Sequence, residues 1–166
     1  MVILRTLIFT ILVPGFVTVG GPYLLLSPSI GAFPYEIGAF RLIGVVSIAI
    51  GFAFYLWCAG DFAFAGRGTP APWDAPKIFV SRGLYRFVRN PMYVGVELIL
   101  LGEAIVFESS RLLVYAAIIW CMFHLVVVLY EEPSLQDRFG APYEEYCRTV
   151  PRWIPYSRRS KVQNDS

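Results

Sequence analysis

The sequence predicts an all-α, polytopic membrane protein with about four transmembrane helices and a cytoplasmic helical C-terminal tail. Three observations predict it. The 166 residues are 57% hydrophobic and only 16% charged, whereas soluble domains average roughly 45–50% apolar and about 25% charged; the mean hydropathy is +0.59. The charges are missing from long runs, between Arg5 and Glu36, between Arg41 and Asp61, and between Arg111 and Glu131, where the only polar exception of note is His124. The basic residues, finally, are unevenly divided between the segments that join those runs.

A hydrocarbon core of about 30 Å takes roughly 20 helical residues. Spans are therefore expected at about 6–26, 42–60 and 112–130. A fourth, 92–107, is shorter and carries Glu97 and Glu103. The first run is too long for the apolar region of a secretory signal and no A-x-A site follows, so it reads as an uncleaved helix, kinked at Pro14-Gly15 by the missing proline N–H. Residues 61–91 form a loop whose GRGTPAPWDAP stretch (66–76) is dense in turn formers. Asn90 and Pro91 fit the N-cap and first position of the third span. In the tail, 131–166, Pro133 and Pro142 sit at first-turn positions and Gly140 at a helix end. Leu135 with Phe139, and Tyr143 with Tyr146, give each short helix an apolar face. Trp153, Tyr156, Arg158, Arg159 and Lys161 suit a membrane–water boundary. Four spans put both termini on one side. That side then holds 12 of the 14 Lys and Arg residues and the opposite loops hold Arg41 and Arg111, so both termini are expected in the cytoplasm, most simply of a bacterial inner membrane. The whole chain, 1–166, reads as a single domain.

Several classes are excluded. A net charge of +2 gives no nucleic-acid-binding field. Three scattered cysteines and one histidine make neither a disulfide scaffold nor a metal site. There is no GxSxG, P-loop or soluble dinucleotide fingerprint, and Cys58 and Cys121 lie inside apolar runs.

Two polar clusters go beyond what a bare bundle needs. In the first, Gly83 to Gly95, Arg86 and Arg89 precede a helix N-terminus that itself favours anions, with Tyr85 and Tyr93 on either side. It fits a positive-inside anchor or a binding site equally well. The second is Glu131-Glu132-Pro133, either a solvated acidic pair or the partner of cationic groups. His124 lies seven residues before Glu131, on the same face of a regular α-helix; it is a functional candidate or a hydrogen-bonding residue between helices. Glu97, near the cytoplasmic end of its span, is within reach of the clusters. Glu103 points to a different face near the other end, placed either to snorkel or to pair with Arg111.

The order G-x-Y-x-x-x-R-N-P-x-Y-x-G over 83–95, the Glu131-Glu132 pair, then Leu135, Phe139-Gly140, Tyr143, Tyr146 and Val150-Pro151-Arg152-Trp153-Ile154-Pro155 resembles the isoprenylcysteine carboxyl methyltransferase and phospholipid methyltransferase superfamily of integral membrane enzymes, over roughly 66–156. The resemblance implies a methyltransferase that uses S-adenosylmethionine without a soluble Rossmann domain, acting on a lipid or lipidated small molecule. It implies cofactor binding by Tyr85, Arg89, Asn90, Pro91, Tyr93, Glu131 and Glu132. Arg152 is expected to orient an anionic acceptor, and Glu97 or a glutamate of the pair, Glu131 or Glu132, to serve as base for an amine. Many members carry histidine where this chain has Asn90, which hydrogen-bonds but does not titrate. The rival readings are an NADPH-dependent sterol-reductase-like enzyme, generally longer, and a non-catalytic membrane partner.

Overall fold

The computed structural model describes residues 12–26, 38–62 and 81–155. The start of the first predicted span, the 66–76 loop, Tyr156 and the basic residues Arg158, Arg159 and Lys161 lie outside the described residues. Every element within them is helical. A π-turn, Phe16–Gly20, runs into α1, Gly21–Leu25, and a 3-10 turn, Gly38–Phe40, leads into α2, Arg41–Asp61. A second 3-10 turn, Gly83–Arg86, precedes α3, Pro91–Val106, and α4 covers Ser110–Val126. A π-turn, Val127–Glu131, carries α4 directly into α5, Glu132–Phe139, and α6, Ala141–Thr149, follows.

Two continuous helical stretches are long and apolar enough to cross a bilayer: Gly38–Asp61, of 24 residues, and Ser110–Phe139, of 30. They cover the spans predicted at 42–60 and 112–130. The helix predicted at 92–107 is present as α3 but has only 16 residues. Near Pro14-Gly15 the α pattern gives way to the π-turn, and Thr18 Oγ1 donates to the Pro14 carbonyl at 2.8 Å. Outward side chains of α2 and α4, among them Leu42, Ile43, Phe52, Leu56, Val114 and Ile118, are exposed. An apolar exterior of this extent is costly in water and suits lipid.

What joins α2 to α3 is a seam of small residues. Gly44 and Gly51 on α2 face Gly102 and Gly95 on α3. A Cβ at Gly51 would lie 2.4 Å from the Gly95 carbonyl oxygen, and one at Gly102 would lie 2.6 Å from the Gly44 oxygen. The pairing of 44 with 102 and 51 with 95 makes the helices antiparallel. Between the glycine pairs Ser47 Oγ donates to the Leu98 carbonyl at 2.7 Å. Lipid tails give no hydrophobic drive for helix association, so close backbone approach and such bonds supply it. The sequence reading missed this seam, although its signal, a seven-residue glycine spacing in each run, was present.

Tyr55, Val96, Leu100, Ala116 and Ile119 form the buried core between α2, α3 and α4. The N-terminal segment joins it through Val17, whose carbonyl accepts from the Tyr115 hydroxyl at 3.1 Å. At one end of the bundle Arg41 pairs with Glu108 at 3.0 Å. At the other, Arg82 pairs with Asp61 at 3.0 Å, beside the loop 83–90 and the helices α5 and α6. The polar clusters read from the sequence therefore meet at a single end.

Candidate active site

The site grows from the loop before α3. Gly83 has φ +58, and a Cβ there would lie 2.3 Å from Asp61 Oδ2, so the turn needs glycine on both counts. It delivers Tyr85 into the core, where a hydrogen bond joins its hydroxyl to the Cys58 thiol and its ring meets Phe62 edge-on at 5.6 Å. Burial holds the Tyr85 phenol well above its ordinary pKa, so it stays neutral.

The C-terminal segment is strapped onto this loop. Arg89 N donates to the Pro151 carbonyl at 2.8 Å, and Tyr146 Oη donates to the Tyr85 carbonyl at 2.6 Å. Asn90 occupies the N-cap position of α3, but its side chain makes no capping bond. The expectation of an Asn90 cap is corrected: Nδ2 donates instead to the Arg152 carbonyl at 3.2 Å. Pro91 is buried at the first position of α3, as its fixed φ predicts.

Glu132 is the hub. Arg152 grips it with two bonds of 2.8 Å, Nε to Oε1 and Nη2 to Oε2, and Arg89 Nη1 reaches Oε1 at 3.0 Å. The hydrogen bond to Glu132 raises the Arg152 guanidinium further above its ordinary value. Arg89 Nη1 also contacts Cys147 Sγ at 2.8 Å, a neighbour not expected from the sequence. Glu131, one residue earlier, accepts from the Tyr93 hydroxyl. The two carboxylates thus have different tasks. Among the described residues, Glu132 is held by two cations, while Glu131 has only a neutral phenol.

The π-turn sets this division. The seven-residue spacing of His124 and Glu131 predicts one shared face, but that holds only for a regular α-helix. The i→i+5 turn over Val127–Glu131 shifts the register. His124 consequently points outward, with its Nδ1 accepting from Trp153 Nε1 at 3.2 Å, and Glu131 turns toward Tyr93.

Two adjoining cavities share Phe62, Tyr85, Arg89, Asn90, Glu131 and Leu135. The smaller, of about 70 Å³, lies toward Glu132, Phe139, Tyr143 and Tyr146. The larger, of about 320 Å³, continues along Tyr93, Met92, Val96, Phe123 and Val17 into the apolar bundle; ligand sites run roughly 300–1,000 Å³. Arg89 Nε is buried with no hydrogen-bond partner among the described residues. A buried guanidinium N–H left unmatched is costly unless a ligand accepts from it.

The predicted residues separate accordingly. Tyr85, Arg89, Asn90, Tyr93, Glu131 and Glu132 line the cleft. Pro91 shapes its backbone, and Arg152 stands behind Glu132. Glu97 is not among the lining residues: it faces another groove, with Trp120, Trp153 and Ile154. Phe62, Tyr143 and Tyr146 join the cleft; the sequence placed the tyrosines on an apolar face and in the motif order without a site role, and held no signal for Phe62.

The profile of the phospholipid methyltransferase family matches residues 40–142. The chain belongs to that family. The matched stretch of this family member carries every cleft residue from Phe62 to Phe139 and stops before Tyr143, Tyr146 and Arg152. Among curated relatives, a protein-S-isoprenylcysteine O-methyltransferase of Schizosaccharomyces pombe is 33% identical over 79 residues, 47% of this chain and 33% of the relative. The B form from Arabidopsis thaliana is 30% identical over 78 residues, 46% of this chain and 39% of the relative. A methanethiol S-methyltransferase of Crocosphaera subtropica is 35% identical over 81 residues, 49% and 31% of the two chains. The matches thus span between about a third and two fifths of those relatives' length.

Proposed function

We propose that this family member is an integral membrane methyltransferase that uses S-adenosylmethionine to methylate an apolar or lipidic acceptor. One observation carries the reading. A buried guanidinium with an N–H unmatched, and a carboxylate without a cation, among the described residues share one cleft with several aromatic faces, and that cleft runs into an apolar cavity. The relatives' names, for O- and S-methyltransferases, support it.

The residues fit the cofactor's groups. Arg89 has an N–H available for a carboxylate, the group that guanidinium forks bind best. Glu131 suits an ammonium or ribose hydroxyls, since Glu132 is already taken by Arg89 and Arg152. The rings of Tyr85, Tyr93 and Phe62 suit a sulfonium, at about 0.5–2 kcal/mol per cation–π contact. When bound, the cofactor supplies a methyl group on a positively charged sulfur. Everything else falls to this chain: Glu132 fixes the two arginines, Tyr93 orients Glu131, and the apolar cavity excludes water and aligns the acceptor, which is the main demand of an in-line transfer.

A carboxylate or thiolate acceptor needs no base. An amine would lose its proton to Glu131, which lies in the cleft, rather than to Glu97, which does not. Arg152 acts through Glu132 as a positioning residue. We further infer four spans with both termini cytoplasmic, so that the cleft meets a soluble donor on one side and a lipid on the other.

The test is calorimetric titration of the purified protein with S-adenosylmethionine and with NADPH. The reading expects saturable binding of the first, weakened roughly tenfold to a hundredfold by Arg89→Ala, as for one or two charge-assisted hydrogen bonds. Binding of NADPH alone would move the chain to the reductase reading. Binding of neither would support the non-catalytic one.

A further inference from the structure

The cleft makes no use of His124, although this residue stands in an otherwise apolar part of α4. By the rise per residue it lies about 21 Å from the start of that helix, within the depth of a hydrocarbon core of about 30 Å. Its Nδ1 accepts from Trp153 Nε1 at 3.2 Å. An indole nitrogen only donates, so Nδ1 is the bare nitrogen and the proton of the neutral ring is on Nε2. Trp120, one turn before His124, lies against the same indole with centroids 4.5 Å apart, tilted by 52°. Away from water an indole N–H and a bare imidazole nitrogen are each costly, and the bond satisfies both.

The same two segments are joined a second time. Glu132 lies further along the continuous helical stretch Ser110–Phe139 that carries His124, and Arg152 directly precedes Trp153 in the strap. Two rungs therefore link them, Glu132 to Arg152 inside the cleft and His124 to Trp153 outside it. The inner rung carries a conflict. Arg152 Nε and Arg89 Nη1 both donate to Glu132 Oε1, at 2.8 and 3.0 Å, and two guanidiniums on one oxygen repel each other. Something besides the carboxylate must fix where Arg152 stands. On the α3 side the strap backbone is held by Arg89 N at the Pro151 carbonyl and by Asn90 Nδ2 at the Arg152 carbonyl. On the α4 side the neighbouring tie is Trp153 on His124.

We propose that His124 is a positioning residue: through the Trp153 indole it holds the strap where Arg152 grips Glu132 at two points, and so keeps Arg89 aimed into the cleft. The consequence for S-adenosylmethionine binding rests on the proposed function; the hold on the strap does not.

Two substitutions separate the hydrogen bond from the bulk of the ring. In His124→Asn the side-chain Oδ1 stands where Nδ1 was and still accepts; in His124→Leu nothing accepts. Hydrogen exchange of the 141–155 segment, measured on the full chain in detergent without ligand, should be faster in His124→Leu and in Trp153→Phe and close to the unsubstituted rate in His124→Asn. Exchange of 41–61 should not change. Calorimetric titration with S-adenosylmethionine should show binding roughly twofold to tenfold weaker in His124→Leu and in Trp153→Phe, restored in His124→Asn, and no weaker in the double variant than in either single one. If His124→Leu does not fold, Trp153→Phe, which keeps a ring against Trp120, reads the same bond. Unchanged strap exchange or unchanged binding in His124→Leu, His124→Asn as impaired as His124→Leu, or losses that multiply in the double variant would overturn the proposal. An unsubstituted protein that takes up no S-adenosylmethionine would overturn the proposed function instead, and strap exchange would then decide the role of His124.

Discussion

Glu132 concentrates more of the site than any other side chain. It holds Arg89 and Arg152 together, and its side chain is only 19% exposed. Glu132→Ala leaves two guanidiniums facing each other without their carboxylate. Removing one partner of a buried pair costs roughly 3–5 kcal/mol, and residual exposure puts this case near the lower end. Thermal unfolding in detergent should show that loss. Arg152→Lys keeps the charge but not the two-point grip, and should lose less. A second outcome concerns pH. Tyr85, Tyr143 and Tyr146 all have phenols raised above their ordinary value by burial. A raised pKa in the folded state means that the unfolded chain releases those protons first. Their contribution is complete below the ordinary value of about 10 and is lost as pH rises beyond it. Unfolding midpoints measured across the alkaline range should therefore fall above about pH 10, and Tyr146→Phe should make that fall shallower.

At the scale of the elements, the glycine seam between α2 and α3 yields a matched pair of substitutions. Gly51→Ala puts a methyl group 2.4 Å from a backbone oxygen, which has no soft side chain to yield. Gly60→Ala, in the same helix, meets nothing within 4 Å. The first should lower the unfolding temperature. The second should leave it unchanged or raise it, since alanine is favoured over glycine in a helix by about 1 kcal/mol. Equal effects would mean that the seam does not hold the helices together. The elements also show what the sequence could and could not reveal. Charge-free runs locate α2 and α4 to within a few residues because the bilayer imposes a length on them. Pro91, Pro133 and Pro142 mark helix starts because their ring restricts where they fit. The π-turn at Val127–Glu131 was hidden, because nothing in a run of apolar residues announces an extra residue per turn. It is that turn which sends His124 and Glu131 to different faces.

Across the whole molecule, membrane position and chemistry are tied to the same end of the bundle. Asp61, Arg82, Arg89, Glu132 and Arg152 gather there, while Arg41 and Glu108 pair at the other. The topology inferred above places the crowded end in the cytoplasm. A reporter active only outside the cytoplasm should be silent when fused after Ser166 and active when inserted beside Glu108. The reverse pattern would invert the protein and remove the cleft from a cytoplasmic donor. Much of the cleft was legible as motif order, since Tyr85, Arg89, Asn90, Tyr93 and the glutamate pair are close in sequence to the helix ends that deliver them. The tail was legible only as motif order, because Tyr143 and Tyr146 reach the cleft, and Cys147 reaches Arg89, only when the strap folds back on residues 85–90. Glu97 was misplaced for a related reason: nearness along a helix says little about which side of it a groove lies.

Methyl transfer in the Arg89 cleft is what the proposed function turns on. Its most direct test supplies the purified protein with methyl-labelled S-adenosylmethionine, a lipid extract and prenylcysteine and thiol analogues, and identifies the labelled product. Label should appear in an apolar acceptor and fall roughly tenfold to a hundredfold in Arg89→Ala, with Glu97→Gln affected far less. Transfer that persists undiminished in Arg89→Ala, or is abolished by Glu97→Gln alone, would contradict it.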